Sequence, residues 1–92
     1  MDDRDEFSFE PTEPVFTTTV VARLVQIPVW VLKRLDRAGV VSPDRESGKA
    51  RLYSHLEVRK IKRVWYLMET RKVTINGIKV ILELEEKYES SD

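Results

Sequence analysis

Hydrophobic residues recur at helical spacing in two short segments near the start of the chain. In the first segment, VFTTTVVARLVQI, three apolar residues lie on one helical face: Val20, Val21 and Leu24. The second segment, WVLKRLDRA, lies between Pro28, which favours the first turn of a helix, and Gly39, which favours a left-handed helix end. Two short helices three or four residues apart predict a helix-turn-helix motif.

The second predicted helix has two unlike faces. Val31, Leu32 and Leu35 share one face, which we expect to be buried. The other face carries an indole and three cations at spacings of three and four: Trp30, Lys33, Arg34 and Arg37. This pattern indicates either a surface for an anionic partner or a solvated face with Trp30 folded back into the core.

A small β-hairpin is predicted after the second helix. Val40 and Val41 indicate a short strand, DRESGK has turn-forming residues around Gly48, and ARLY alternates as a return strand. SHLE follows directly and is typical of a capping box, in which Ser54 and Glu57 each accept the other's backbone N–H. The hairpin is therefore expected to lead straight into a helix.

Two longer helices complete the predicted fold. The third helix, SHLEVRKIKRVWYLMETR, has an apolar stripe that we expect to be core: Val58, Ile61, Val64, Trp65 and Met68. Thr74 can cap a fourth helix that runs from Ile75 to about Tyr88. The fourth helix has one apolar stripe formed by Ile75, Ile78 and Ile81 or Leu82, and a second formed by Val80, Leu84 and Tyr88. We expect the second stripe to pack either within the chain, against Phe7, Phe9 or the first helix, or against a second copy.

Charge is segregated along the chain, although the formal net charge is zero. Residues 1–14 carry six acidic side chains and one arginine, and residues 83–92 carry five acidic side chains and one lysine. The residues between them carry 14 basic and 5 acidic side chains, a net charge of +9. A basic body of this kind favours a polyanionic partner, most commonly nucleic acid. We expect an acidic disordered tail over 1–14, a folded domain over 15–88 and an acidic tail over 89–92.

The sequence offers little for catalysis, metal binding or membrane insertion. It has no cysteine, and His55, its single histidine, lies in the predicted capping box. No glycine-rich phosphate loop is present, and the longest apolar runs are far too short to span a membrane. We expect a cytoplasmic protein that is not an enzyme and has no metal, cofactor or small-molecule effector.

The order of these segments resembles the DNA-binding domain of MerR-type transcriptional regulators over residues 15 to about 87. The matching features are the start at Phe16 and Thr17, VARL, LKRLDRAGVVSP and SGKARLYS. The run VTINGIKVILELEEK is most similar to the heat-shock-repressor branch of that family. The resemblance implies a mainly α winged helix-turn-helix fold of about four helices with a small two-stranded β-hairpin wing. It also implies sequence-specific binding of double-stranded DNA by a transcriptional regulator, a repressor in this branch.

The resemblance further implies which residues contact DNA. Helix 28–38 would enter the major groove and the wing, 43–53, would lie on the backbone. The implied contacts come from the helix, the wing and a helix N-terminus: Trp30, Lys33, Arg34, Arg37, Arg45, Lys49, Arg51, Tyr53, Thr17 and Thr18. Arg34 is the best candidate for a contact with a base edge. Family members bind palindromic operators as dimers, and if the second stripe of the fourth helix packs against a second copy, Val80, Leu84 and Tyr88 would form the homodimer contact.

Two other functions fit the same sequence. One is an excisionase-like architectural DNA-binding protein, which would bend DNA and assemble with a recombinase. The other is a winged-helix module that no longer binds DNA and contacts a protein through Val29, Trp30 and Val31. A separate hypothesis is that the acidic residues 1–14 compete with DNA for the basic surface.

Overall fold

The computed structural model describes residues 10–43 and 52–90. These residues form four helices and a two-stranded antiparallel sheet, in the order β1 (Pro14–Thr17), α1 (Thr18–Val25), α2 (Val29–Arg37), β2 (Leu52–Ser54), α3 (His55–Glu69) and α4 (Ile75–Ser90). The predicted class, a mainly α winged helix-turn-helix with about four helices and a small sheet, is confirmed. None of the described helices is long and apolar enough to cross a membrane.

The boundaries of α1 and α2 are set by local hydrogen bonds. The Thr17 hydroxyl accepts the backbone N–H of Val20 at 3.2 Å and so caps α1. The helix ends at Gln26, whose backbone is left-handed, with φ 60° and ψ 49°. Pro28 precedes α2, and its carbonyl accepts the N–H groups of Val31 and Leu32. The turn between the two helices is therefore only Gln26 to Pro28 long.

Gly39 ends α2 as predicted. Its φ of 75° is in the left-handed region that favours glycine. The Gly39 N–H donates to the Asp36 carbonyl at 3.0 Å, and the Val40 N–H donates to the Leu35 carbonyl at 2.9 Å. This pair of bonds is a Schellman motif, which satisfies carbonyls that the helix end would otherwise leave unpaired.

The sheet has a different partner strand from the one that the sequence predicts. Val40 and Val41 lie in a bend with buried side chains, and β2 pairs instead with β1, Phe16 opposite Tyr53. Valine is favoured both in strands and in hydrophobic cores, and in this fold Val40 and Val41 pack in the core without forming a strand. The tip of the predicted hairpin, around Gly48, lies outside the described residues.

The core is formed by side chains from every described element except β1. Its members are Val21, Ile27, Val31, Leu32, Leu35, Val40, Val41, Tyr53, Ile61, Val64 and Ile78. Trp65 is partly buried and packs against this cluster, as the third-helix pattern predicts. On α1, however, only Val21 of the three expected residues is buried, and Val20 and Leu24 are exposed. Ala22 and Val25 take their place against the core.

The capping box at the start of α3 is confirmed. The Glu57 N–H donates to the Ser54 hydroxyl at 3.2 Å, and the Ser54 N–H donates to Glu57 Oε1 at 2.8 Å. Ser54 is buried, at 5% exposure, so both hydrogen bonds are largely shielded from solvent. β2 therefore passes directly into α3 with no intervening loop.

Candidate nucleic-acid interface

The polar face of α2, called here the recognition stripe, consists of Trp30, Lys33, Arg34 and Arg37. All four side chains are exposed, whereas Val31, Leu32 and Leu35 on the other face are almost completely buried. Trp30 is 62% exposed, so the alternative in which its indole folds back into the core is wrong. Burial of Val31 at 2% also leaves only Val29 and Trp30 of the predicted apolar partner-binding surface accessible.

A first cavity, of about 440 Å³, lies between α2 and the start of α4. Its lining includes the side of α2 that carries Arg34 and Arg37, together with Thr74, Ile75 and Asn76. The Thr74 hydroxyl accepts the Gly77 N–H at 3.1 Å, which marks the N-terminus of α4. A helix N-terminus has a partial positive charge, so two guanidinium groups and a dipole of the same sign face one concave surface.

A second cavity, of about 280 Å³, lies between the start of α1 and α2. It is lined by Thr18 and Thr19 from the first turn of α1 and by Lys33 from the recognition stripe. Val29, Pro43 and Tyr53 complete its apolar wall, and Asp36 contributes a carboxylate. The hydroxyls, the N-terminus of α1 and Lys33 favour an anion here, and Asp36 weakens that preference.

The two cavities lie on opposite flanks of the recognition stripe. At 3.6 residues per turn, successive residues are separated by about 100° around the helix axis, which places Trp30 between Lys33 and Arg34. Lys33 contributes to the second cavity, and Arg34 and Arg37 contribute to the first. None of these three cations forms an ion pair with a described acidic side chain. They are available for an external anion.

The other predicted contact residues lie partly in the described structure and partly outside it. Thr17 caps α1 through its hydroxyl, and Thr18 lines the second cavity. Tyr53 is only 2% exposed and belongs to the core, although it also forms part of the second cavity wall. Its DNA contact stays a prediction. Three predicted wing contacts lie outside the described residues: Arg45, Lys49 and Arg51.

Sequence reasoning missed Thr19 and Asn76 as cavity-lining residues and the position of Thr74 beside Arg34 and Arg37. Thr74 is predicted as the cap of the fourth helix, and the structure confirms that role. The sequence gives no signal that this cap lies beside Arg34 and Arg37, because the packing of α4 is a tertiary property. The sequence therefore did not indicate that the polar residues around Thr74 lie beside the recognition stripe.

The second apolar stripe of α4 faces solvent. Val80, Leu84 and Tyr88 are 54%, 51% and 79% exposed, whereas Ile78 on the first stripe is fully buried. Phe7 and Phe9, the intramolecular partners considered above, lie outside the described residues. Within the described part of the chain, the outer face of α4 thus presents a row of apolar side chains.

The residues that the structure describes contain no side-chain cluster typical of a metal site. His55 is exposed at the first position of α3. Within residues 10–43 and 52–90, no three histidine, aspartate or glutamate side chains are close enough together to hold a metal ion.

A helix pair joined by a tight turn, a two-stranded sheet whose strands precede and follow that pair, and a cationic second helix define a winged helix-turn-helix protein. Residues 16–85 match the MerR HTH family of regulatory proteins, and the chain belongs to this family. It is 38% identical over 87 residues to a Streptomyces coelicolor protein named as heat shock protein HspR. That match covers 92% of this chain and 58% of the relative, so the chain spans less than two thirds of the relative's length. The resemblance that the sequence predicts is confirmed.

Proposed function

We propose that this protein binds double-stranded DNA as a transcriptional regulator, with α2 in the major groove. The observation that carries the proposal is the recognition stripe: an exposed helical face with three unpaired cations and an anion-favouring cavity on each flank. The major groove is about 12 Å wide and admits an α-helix. Its two walls are lines of phosphates, and because the two cavities flank α2, one cavity would face each wall.

We assign the three cations of the recognition stripe to phosphate contacts. Arg34 and Arg37 would bind one backbone together with the N-terminus of α4, and Lys33 would bind the other together with Thr18 and Thr19. A hydrogen bond from a charged donor contributes about 1.5–3 kcal/mol, whereas a helix dipole contributes about 0.3–1 kcal/mol. The cations would therefore contribute most of the affinity, and the helix N-termini would orient the bound phosphates. The sequence suggests that Arg34 contacts a base edge. Its position beside Arg37 in the first cavity favours a phosphate contact instead.

A wing contact completes the proposed footprint. Residues 43–53 would lie on the backbone next to the groove that α2 occupies, with Arg45, Lys49 and Arg51 as the contacts. Support for these three contacts comes from the MerR resemblance alone, because they lie outside the described residues. The acidic residues 1–14 would compete with DNA for the same basic surface.

We further propose that the regulation is repression in a heat-shock response. Support comes from the 38% identity to the Streptomyces coelicolor heat shock protein and from the resemblance of the α4 sequence to the heat-shock-repressor branch. A reporter gene behind a bound fragment should lose expression when the protein is supplied. A rise in expression would instead indicate an activator. A cytoplasmic location goes with this function and stays a prediction.

We propose a homodimer as the DNA-binding form, with Val80, Leu84 and Tyr88 at the contact. About half or more of each side chain is exposed, and together they form a row along one face of α4. Sedimentation of the wild type beside Leu84→Glu tests this, with Lys79→Gln, which also lowers the net charge by one at an exposed position of the same helix, as the control. A dimer is expected for the wild type and the control and a monomer for Leu84→Glu. A monomeric wild type would end the proposal.

The DNA-binding proposal is tested by comparing two double variants that lose the same charge. Arg34→Ala with Arg37→Ala removes two cations of the recognition stripe, and Arg59→Ala with Lys60→Ala removes two exposed cations of α3 that line neither cavity. Affinity for a random-sequence duplex at low salt is measured by fluorescence anisotropy. The first pair should weaken binding roughly tenfold or more, because each lost contact is charge-assisted. Equal losses for the two pairs would place the interface elsewhere.

A further inference from the structure

Trp30 is the one member of the recognition stripe that lines neither cavity. Its side chain is 62% exposed, and the neighbouring Val29 is also exposed. The two residues form an apolar patch at the first turn of α2. An indole left in water forfeits a large hydrophobic gain, which favours a binding partner that covers it.

The surroundings of Trp30 limit what that molecule can be. Lys33 and Arg34 lie one turn further along on either side of the indole, and Arg37 follows on the same face. Whatever covers the indole must therefore present negative charge on both sides of an apolar group. Duplex DNA meets this requirement, because phosphates border its major groove and the 5-methyl group of thymine is the apolar feature on its floor.

We infer that Trp30 is a specificity-determining residue that recognises the 5-methyl group of thymine in the major groove. The inference rests on the proposed DNA-binding function and adds a base preference to it. In this arrangement the three cations contact phosphates and fix the position of α2. The indole then contacts the base edges, where no charged group is needed.

The size of the effect follows from the chemistry of one methyl group. Burying a CH₂-sized group contributes about 0.8 kcal/mol, which corresponds to a roughly fourfold change in affinity. Deoxyuridine pairs with adenine as thymine does and lacks only this methyl group. Replacing thymine by deoxyuridine therefore removes the contact while the pairing and the phosphates stay in place.

The experiment uses a duplex selected by the wild-type protein from a random-sequence library, prepared once with thymine and once with deoxyuridine. The ratio of the two Kd values is measured for the wild type, for Trp30→Ala and for Tyr66→Ala. Tyr66 is a matched control, since it is an exposed aromatic residue on α3 that lines neither cavity. Circular dichroism confirms that each variant is folded.

The expected result is a roughly fourfold or larger preference for the thymine duplex in the wild type and in Tyr66→Ala, lost in Trp30→Ala. A wild type that binds both duplexes equally would overturn the inference and leave the DNA-binding proposal intact. Trp30→Ala that keeps the preference, or that binds the thymine duplex as tightly as the wild type, would also overturn it. Unchanged affinity of Trp30→Ala for the thymine duplex would show that the indole does not contact DNA. Failure of the wild type to bind any duplex would overturn both proposals.

Discussion

Arg63 and Glu85 form a two-point ion pair that joins α3 to α4. Arg63 Nη1 donates to Glu85 Oε1 at 2.6 Å, and Nη2 donates to Oε2. These residues are 22 positions apart in sequence, so the pair is a long-range contact between the two helices. Because α4 begins at the first cavity, the pair also helps to hold the Thr74 cap beside α2.

The Arg63–Glu85 pair predicts a pH-dependent contribution to stability. The hydrogen bond from Arg63 lowers the pKa of Glu85, and the same bond raises the pKa of Arg63. A carboxyl whose folded pKa is depressed contributes stability above its unfolded pKa and loses it as the pH falls through the folded value. Glu85→Gln should therefore lower Tm at neutral pH by a small amount, because the pair is exposed to solvent.

The difference in Tm between Glu85→Gln and the wild type should shrink as the pH falls below the ordinary glutamate range. Thermal unfolding followed by circular dichroism at a series of pH values measures it. Glu83→Gln, which removes a charge from an exposed position of the same helix, is the control. A Tm difference that stays constant down to strongly acidic pH would contradict the assignment.

The capping box predicts a larger loss of stability at the start of α3. Ser54→Ala removes the acceptor for the Glu57 N–H in a buried position, and an N-cap substitution of this kind costs about 1 kcal/mol, up to 2. Ser54→Thr, which retains a neutral capping hydroxyl, should lose less. Urea unfolding gives both values. Equal losses for the two variants would show that the hydroxyl bond contributes nothing of its own.

The turn between α1 and α2 predicts a stabilising substitution. Gln26 is held in the left-handed region, with φ 60° and ψ 49°, where a side chain costs about 1–2 kcal/mol and glycine costs little. Gln26→Gly should raise the free energy of unfolding by about 1 kcal/mol after the entropy of the unfolded glycine is subtracted. Gln26→Ala keeps the strain and serves as the control. A Gln26→Gly variant no more stable than Gln26→Ala would show that the turn is unstrained.

Local sequence signals predicted the parts of the fold that depend on neighbouring residues. The Gly39 helix end and the Ser54–Glu57 capping box each depend on hydrogen bonds within a few positions, and both are confirmed. The two faces of α2 followed from helical spacing in the same way. The periodicity of α1 was less informative, because eight residues make only about two turns and a small rotation exchanges Leu24 for Val25 at the core.

Tertiary packing decided what the sequence could not predict. The pairing of β2 with β1 joins residues more than thirty positions apart, and no local pattern in Val40 or Phe16 selects between the two partners. The proximity of the Thr74 cap to Arg37 depends likewise on how α4 packs. The candidate site was therefore predicted as cations on one helix, wing residues and the N-terminus of the first helix, and the structure adds the N-terminus of α4 beside Arg34 and Arg37.

The salt dependence of duplex binding tests the central claim most directly. For about six phosphate contacts, log affinity should fall with log salt concentration at a slope of about −5. Removing Arg34 and Arg37 together should make the slope shallower by about 2, since each phosphate contact contributes about 1. The Arg59→Ala, Lys60→Ala control should keep the wild-type slope. No measurable binding at about 50 mM salt, or an unchanged slope without Arg34 and Arg37, would contradict the claim that α2 binds the DNA backbone.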